Sequence, residues 1–254
     1  MPAIRSSARP RAVGEHGGGT SLDRGEIHVW TVALDERMPP TEESMQLLDA
    51  DERLRASRFR FEVDAARFIQ RRRALRAIVG GYLGIAPRDV VFAVDAFGKP
   101  SVAASSTCSD LSFNASHSGA IALVAASRAV RIGIDVELLR ADVECLAVAT
   151  RFFAPGEVAS LAALGPDDQV AGFFNAWTRK EAVVKAVGGG LSIPLDAFEV
   201  SLQPRQPPRI LRWDIPDEAE RQWRIHHLEP AGGYVGAVAV DDASGDCRFF
   251  EWTG

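Results

Sequence analysis

The sequence lacks several features that would assign a chemistry outright. Its three cysteines, Cys108, Cys145 and Cys247, lie far apart and form no CxxC pair. That odd, scattered count, without clustered histidines, argues against a zinc site or a disulfide scaffold. It fits a reducing, cytoplasmic setting. No apolar run approaches the roughly 20 residues that span a bilayer, and the N-terminus has no apolar signal-peptide core. Membrane association is therefore not expected. There is no GxGxxG dinucleotide fingerprint, no Walker GxxxxGK[ST] loop and no GxSxG nucleophile elbow. With a formal net charge of -5, a general nucleic-acid surface is not expected either.

What remains is an ordinary globular composition in 254 residues, enough for one large domain or two smaller lobes. Residues 1–25 contain little that can be buried and are expected to be a disordered tail. Alternation over Ile27–Val32 predicts a strand. Thr41 is a plausible N-cap for a helix that begins with Glu42 and Glu43. A long helix is expected from about Asp64 to Tyr82, with Phe68, Leu75, Ile78, Val79 and Tyr82 on its core side. Its other sides carry Arg67, Arg71, Arg72, Arg73 and Arg76, most of them read as a solvated face. Strands follow at Val90–Val94, Leu111–Ser116, Ala120–Ala126 and Arg131–Glu137. Helices are expected around Val143–Arg151, Pro155–Leu164 and Gln169–Val187. Strands at Phe198–Leu202, Trp223–Leu228, Tyr234–Val240 and Arg248–Trp252 complete the chain.

A weak internal repeat divides this series. Each half has a long helix ending in glycines, Gly80-Gly81 and Gly188-Gly189. Each then has an Asp-to-Phe strand start, Asp89 to Phe92 and Asp196 to Phe198, and later a small-residue strand, Ala120–Ala126 and Tyr234–Val240. The pattern predicts an α+β fold of two similar lobes, residues 26–127 and 128–254, with a cleft between them as a place for a ligand.

Three segments carry candidate chemistry. Trp177, Glu181 and Lys185 are spaced i, i+4, i+8 and share one side of a helix that the glycines end. In isolation Glu181 and Lys185 read as a solvated salt bridge. In Ile132–Glu137, strand alternation places Gly133, Asp135 and Glu137 on one face. Two neighbouring carboxylates repel, so either a positive group sits between them or they are solvated at the end of a surface strand. Together with Glu181 they form a set of hard oxygen donors that suits magnesium or manganese. His117, between Ser116 and Ser118 just after a strand, is placed to donate to a phosphate or shuttle a proton. Lys99, in the turn Gly98-Lys99-Pro100, carries little alone.

The set Phe97-Gly98-Lys99-Pro100, Phe113-Asn114-Ala115-Ser116-His117-Ser118, Gly133-Ile134-Asp135-Val136-Glu137 and Trp177 to Leu191, in that order and spacing, resembles the Sfp-type 4′-phosphopantetheinyl transferases. The resemblance runs from about Ile27 to Val240. It implies two pseudo-twofold α+β lobes and an enzyme that moves phosphopantetheine from coenzyme A to a serine of an apo acyl or peptidyl carrier protein, as in secondary metabolite biosynthesis. Adenosine 3′,5′-bisphosphate is released, and magnesium, or manganese in its place, is required. It further implies Asp135, Glu137 and Glu181 as metal carboxylates and Lys185 as a catalytic lysine. His117 is implied as a phosphate contact and catalytic residue, Ser116, Lys99 and Pro100 as positions near the adenosine, and Arg55 as a 3′-phosphate contact. Glu181 or a metal-bound water is the implied base. The pattern departs at Glu52, where some members carry lysine, and at Phe68, where some carry threonine, which leaves Arg67, Arg71 and Arg72 as alternative phosphate contacts. Leu138–Thr150 is the candidate carrier-docking segment, and a monomer is expected.

Overall fold

The computed structural model describes residues 11–13, 21–34, 40–94, 100–103, 110–216, 222–241 and 247–254. In chain order its elements are β1 (Arg11–Val13), β2 (Ile27–Ala33), α1 (Glu42–Gln46), α2 (Ala50–Ala56), α3 (Glu62–Leu83), β3 (Phe92–Val94), β4 (Pro100–Val102), β5 (Leu111–Ser118) and β6 (Ile121–Arg128). Then come β7 (Ile132–Leu138), α4 (Cys145–Phe152), α5 (Pro155–Ala162), α6 (Pro166–Val187), β8 (Phe198–Val200), β9 (Ile210–Trp213), β10 (Arg224–Leu228), β11 (Tyr234–Val240) and β12 (Cys247–Trp252).

The repeat seen in the sequence is present in the topology. β2, β6 and β5 lie side by side, all antiparallel, and so do β7, β11 and β10. In both sets the first strand pairs with the last, and the long helix is inserted after the first. A short antiparallel pair follows each long helix, β3–β4 after α3 and β8–β9 after α6.

Strand alternation layers the molecule. Trp30 and Val32 of β2, with Ala122, Val124 and Ala126 of β6, pack on Leu75, Ile78 and Val79 of α3. The opposite faces of those strands, Ile27, Val29, Leu123 and Ala125, meet Ile132, Ile134 and Val136 of β7 and Val238 and Val240 of β11. The far face of that second sheet, with Val235, Ala237 and Ala239, packs on Ala182, Val183 and Ala186 of α6. The order of layers is therefore helix, sheet, sheet, helix. β11 and, as far as Ala126, β6 are apolar because both of their faces are covered.

Several elements differ from the sequence reading. β5 runs to Ser118, so His117 lies within a strand rather than in a turn after it. The short helix α2 and the strand β9 were not anticipated. α2 begins with a capping box, Asp49 Oδ1 accepting from the Glu52 amide at 2.8 Å and Glu52 Oε2 from the Asp49 amide at 3.0 Å. Arg11–Val13, within the segment expected to be disordered, pairs in parallel with β12. β12 itself pairs with β2, so the last strand returns to the sheet of the first lobe. Among the described residues no helix is long and apolar enough to cross a membrane.

Candidate active site

The second sheet and α6 meet at Gly133. A Cβ there would lie 2.1 Å from the carbonyl oxygen of Ala182 and 2.3 Å from the amide nitrogen of Ala186. Only glycine permits this approach of helix backbone to strand. The contact sets the register of α6 on β7. It brings Glu181 and Lys185, which flank the contacted turn, beside Asp135 and Glu137, which share the glycine's face.

Lys185 Nζ lies 2.6 Å from Asp135 Oδ1, which Ser116 Oγ also reaches by donating across 2.7 Å. Lys185 Nζ is 3.2 Å from the same serine oxygen. The positive group expected between the strand carboxylates is thus, at Asp135, an ammonium from α6. The other oxygen, Asp135 Oδ2, is buried and has no hydrogen-bond partner.

The second edge of the site is made by β5, whose residues Asn114, Ser116 and Ser118 face β7. Asn114 Oδ1 accepts the Ile134 amide at 2.9 Å. Ser118 Oγ donates to Glu137 Oε2 at 2.7 Å and accepts the Leu138 amide at 3.1 Å. β7 is an edge strand of its sheet, and these side chains satisfy backbone donors that an edge leaves open. The roles of Asn114 and Ser118 were missed in the sequence. The signal was there in the polar alternation Asn114-x-Ser116-x-Ser118.

Burial raises the pKa of Glu137, and the Asp135 charge adds to it against the lowering effect of Ser118, Lys185 and Arg140. Burial likewise raises that of Glu181, opposed by Lys185 and helped by Asp135 and Glu137. Among the described residues no three Asp, Glu, His or Cys side chains draw together into a group able to hold a metal ion. Glu181 feels the two strand acids through their charges. The orphaned Asp135 oxygen and the all-oxygen donor chemistry of these acids nonetheless fit a hard divalent cation whose coordination is completed by water or phosphate.

A cavity of about 690 Å³ opens beside this cluster, walled by α2, α3 and the face of the first sheet. Its lining includes Arg55, Phe68, Arg71, Pro100, Ser116 and His117. Ser116 thus belongs to both the cavity and the acid cluster. Lys99 falls outside the described residues. His117 contacts Arg71, whose Nη1 is 2.6 Å from the imidazole Nδ1. Desolvation in the cavity wall, then the charges of Arg71, Lys185 and Arg55, push the imidazole down to about 4. Burial and the neighbouring Arg55 and Arg72 lower Arg71 to about 10. Crowded cations of this kind are a receptor for a polyanion.

The other arginines of α3 are occupied. Arg72 pairs with Glu52. Arg76 donates to Glu52 Oε2 at 2.8 Å and to Asp49 Oδ2 at 2.7 Å. Glu52, which also lines the cavity, therefore ties α2 to α3. In the other lobe, Lys180 is fully buried against Glu157 at 2.8 Å and bonds the carbonyl oxygens of Leu195 and Phe198. Trp177 packs among Phe152, Phe153 and Phe173. In the proposed docking segment, Leu139, Val143 and Leu146 are partly buried on the core around α6. Arg151 lies over the ring of Phe152, which is 40% exposed.

A two-lobed α+β fold, with a cavity that gathers Arg55, Arg71 and Arg72 along with Asp49, Asp51 and Glu52 and opens onto further acids and a lysine, suits a class of protein that handles phosphate groups. Comparison with known proteins narrows the class. A family model of the 4′-phosphopantetheinyl transferase superfamily matches residues 131–239. A model of the N-terminal region of 4′-phosphopantetheinyl transferases matches residues 38–129. The chain is 35% identical over 227 residues to the 4′-phosphopantetheinyl transferase HetI of Nostoc, covering 89% of this chain and 92% of that one. It is 34% identical over 179 residues to a 4′-phosphopantetheinyl transferase of Bacillus subtilis, 70% of this chain and 77% of the relative. To the transferase Sfp of the same species it is 32% identical over 178 residues, covering 69% and 77%. The chain belongs to the 4′-phosphopantetheinyl transferase superfamily, and it is an enzyme of that class.

Proposed function

We propose that this enzyme moves the 4′-phosphopantetheine arm of coenzyme A to a serine hydroxyl of an apo acyl or peptidyl carrier protein, releasing adenosine 3′,5′-bisphosphate. The observation that carries this reading is the continuity through Ser116 of the cavity that holds Arg55, Arg71 and His117 with the Asp135–Lys185 pair. The first lobe, residues 26–127 with β12 added to its sheet, holds the coenzyme. Arg55, Arg71 and His117 bind its phosphates, while Lys99, Pro100 and Ser116 border the adenosine. The second lobe, from residue 128, supplies the chemistry.

Asp135, Glu137 and Glu181 would hold magnesium, or manganese in its place. When bound, the ion supplies positive charge to the pyrophosphate oxygens. The carrier serine oxygen bonds to the β-phosphorus as the bond from that phosphorus to the bridging oxygen breaks. Glu181, or a water it orients, takes the serine proton. Lys185 stabilises the leaving phosphate and donates a proton to it. Binding in the cavity fixes the coenzyme so that the attack is effectively unimolecular. The carrier docks on residues 138–152, where exposed Arg140 and Arg151 border apolar Leu139, Leu146 and Phe152 and would steer an acidic partner. The reaction takes place in the cytoplasm, with the enzyme acting as a monomer.

The test is incubation with coenzyme A, magnesium and an apo carrier, read by mass spectrometry of the carrier. Addition of phosphopantetheine to its serine is the expected result. Release of adenosine 3′,5′-bisphosphate without a gain in carrier mass would instead identify a pyrophosphate hydrolase and overturn the proposal. Titration of the protein with manganese, followed by its paramagnetic signal, tests the ligands separately. Asp135→Asn should weaken the binding.

A further inference from the structure

Phe68 of α3 belongs by composition to the small apolar cluster with Leu48, Ala56 and Ile69. Its ring nevertheless meets two charged groups. The guanidinium carbon of Arg55 lies 5.3 Å from the ring centroid and that of Arg71 5.2 Å from it. All three residues line the cavity. Arg55 projects from α2 and Arg71 from α3, so the ring is where the two helices bring their cations together. Like charges at such a place repel. Of the acids that line the cavity, Glu52 is engaged by Arg72 and Arg76 and Asp49 by Arg76, while Asp51 forms no ion pair with Arg55 or Arg71. Among the described residues neither Arg55 nor Arg71 forms an ion pair with a carboxylate. Arg71 has His117 as a hydrogen-bond partner, but the attraction that both cations share is the electron-rich face of the Phe68 ring.

We infer that Phe68 is a positioning residue, whose ring holds Arg55 and Arg71 together as a pre-set receptor for a phosphate group of coenzyme A. This rests on the coenzyme reading above. A long arginine loses rotamer freedom when it is fixed on a ligand. Holding both side chains in place beforehand removes part of that cost from binding. The role is distinct from core packing, because leucine fills the apolar site but offers no ring face.

The experiment compares Phe68→Leu with the wild-type chain. Affinity for adenosine 3′,5′-bisphosphate is measured by calorimetry, and KM and kcat are measured with coenzyme A and with 3′-dephospho-coenzyme A. The variant should bind the bisphosphate about tenfold more weakly and raise KM for coenzyme A by a similar factor, at nearly unchanged kcat. Phe59→Leu is the control, since Phe59 touches the Phe68 ring at 5.4 Å but does not line the cavity. It should lower the melting temperature and leave both affinities alone. Phe68→Met takes the place of the leucine variant should that one not fold.

If the effect vanishes with 3′-dephospho-coenzyme A, the held group is the 3′-phosphate. If it persists, the held group is in the pyrophosphate. Both outcomes support the inference. A Phe68 variant that melts earlier but keeps bisphosphate affinity and KM overturns it. So does additivity of Phe68→Leu with Arg71→Ala, because groups acting as one unit are non-additive. A wild-type chain that binds the bisphosphate in a Phe68-dependent way, yet modifies no carrier, would sink the transfer reading and leave this inference standing.

Discussion

The helices α3 and α6 are each 22 residues long, and each stops at a left-handed glycine, Gly84 and Gly188. They occupy equivalent places in the two lobes and do different things. Opposite α6 stands Gly133, so helix and strand touch backbone to backbone. Glu181 and Lys185 are thereby pressed toward Asp135. Opposite α3 stand Val32, Ala115, Ala122 and Val124, and a cavity remains between these side chains and Phe68, Arg71, Arg72 and Leu75. Here a single missing side chain on the facing strand accompanies the difference between a helix that borders a cavity and a helix whose backbone packs on a strand.

The sharpest way to break this comparison is to remove chemistry from α6. Glu181→Gln should lower kcat by about 10²- to 10⁴-fold while the melting temperature changes little. Near-normal transfer by that variant would show that α6 is not the reacting helix. Next in size is Lys180→Met. It leaves the buried Glu157 carboxylate without its partner, and should cost about 3–5 kcal/mol of stability in a denaturant titration. Both Glu157 and Lys180 are nearly inaccessible to solvent, so screening does not soften the loss. Gly133→Ala tests the contact itself. The added methyl must displace α6, with an expected cost of about 1–3 kcal/mol and a fall in kcat larger than the fall in coenzyme affinity. An unchanged kcat would separate helix register from catalysis.

On the α3 side, Arg71→Ala should raise KM for coenzyme A about tenfold at little cost to kcat, as loss of a hydrogen bond to a charged group does. A drop in kcat alone would move Arg71 from binding to chemistry. The smallest effect concerns pH. His28, fully buried in the sheet under α3, contacts Tyr82 Oη at 2.7 Å. Its pKa is lowered chiefly by burial, with Arg248 adding to the fall and Glu26 opposing it. The unfolded chain therefore takes up this proton first as pH falls. The contribution of neutral His28 is complete above about pH 6.5 and is lost as pH drops through the folded value. His28→Gln should flatten the fall in melting temperature between pH 7 and 5. An unchanged slope would place the acid sensitivity elsewhere.

Much of the site was legible because its signals are local. Glu181 and Lys185 share a helix side by spacing, and Gly133, Asp135 and Glu137 share a strand face by alternation. Those periods are fixed by backbone geometry, whatever the fold around them. The repeat was legible for the same reason, as long helix and small-residue strand recur in order, although α3 runs through Gly80 and Gly81 and stops at Gly84 rather than at the glycine pair read as its end. Arg71 was harder to single out. Five arginines on one helix look alike in sequence, and their different partners come from α2, which was not foreseen. The terminal strand β12 pairs with β2 more than 200 residues earlier in the chain, and no local pattern records such a pairing.

The sequence by itself determined the α+β order of elements, the two-lobe repeat and which acids and lysine share a strand face or a helix side, since each depends on chemistry within a few residues. Only the tertiary structure decided that Ser116 and Ser118 are the side chains that hold Asp135 and Glu137, and that Arg71 meets His117 while Arg72 and Arg76 are bound to Glu52. It also decided that Phe68 faces two cations. Contacts of that kind depend on which surfaces the layers press together, and burial makes the selection over distances that sequence spacing does not encode.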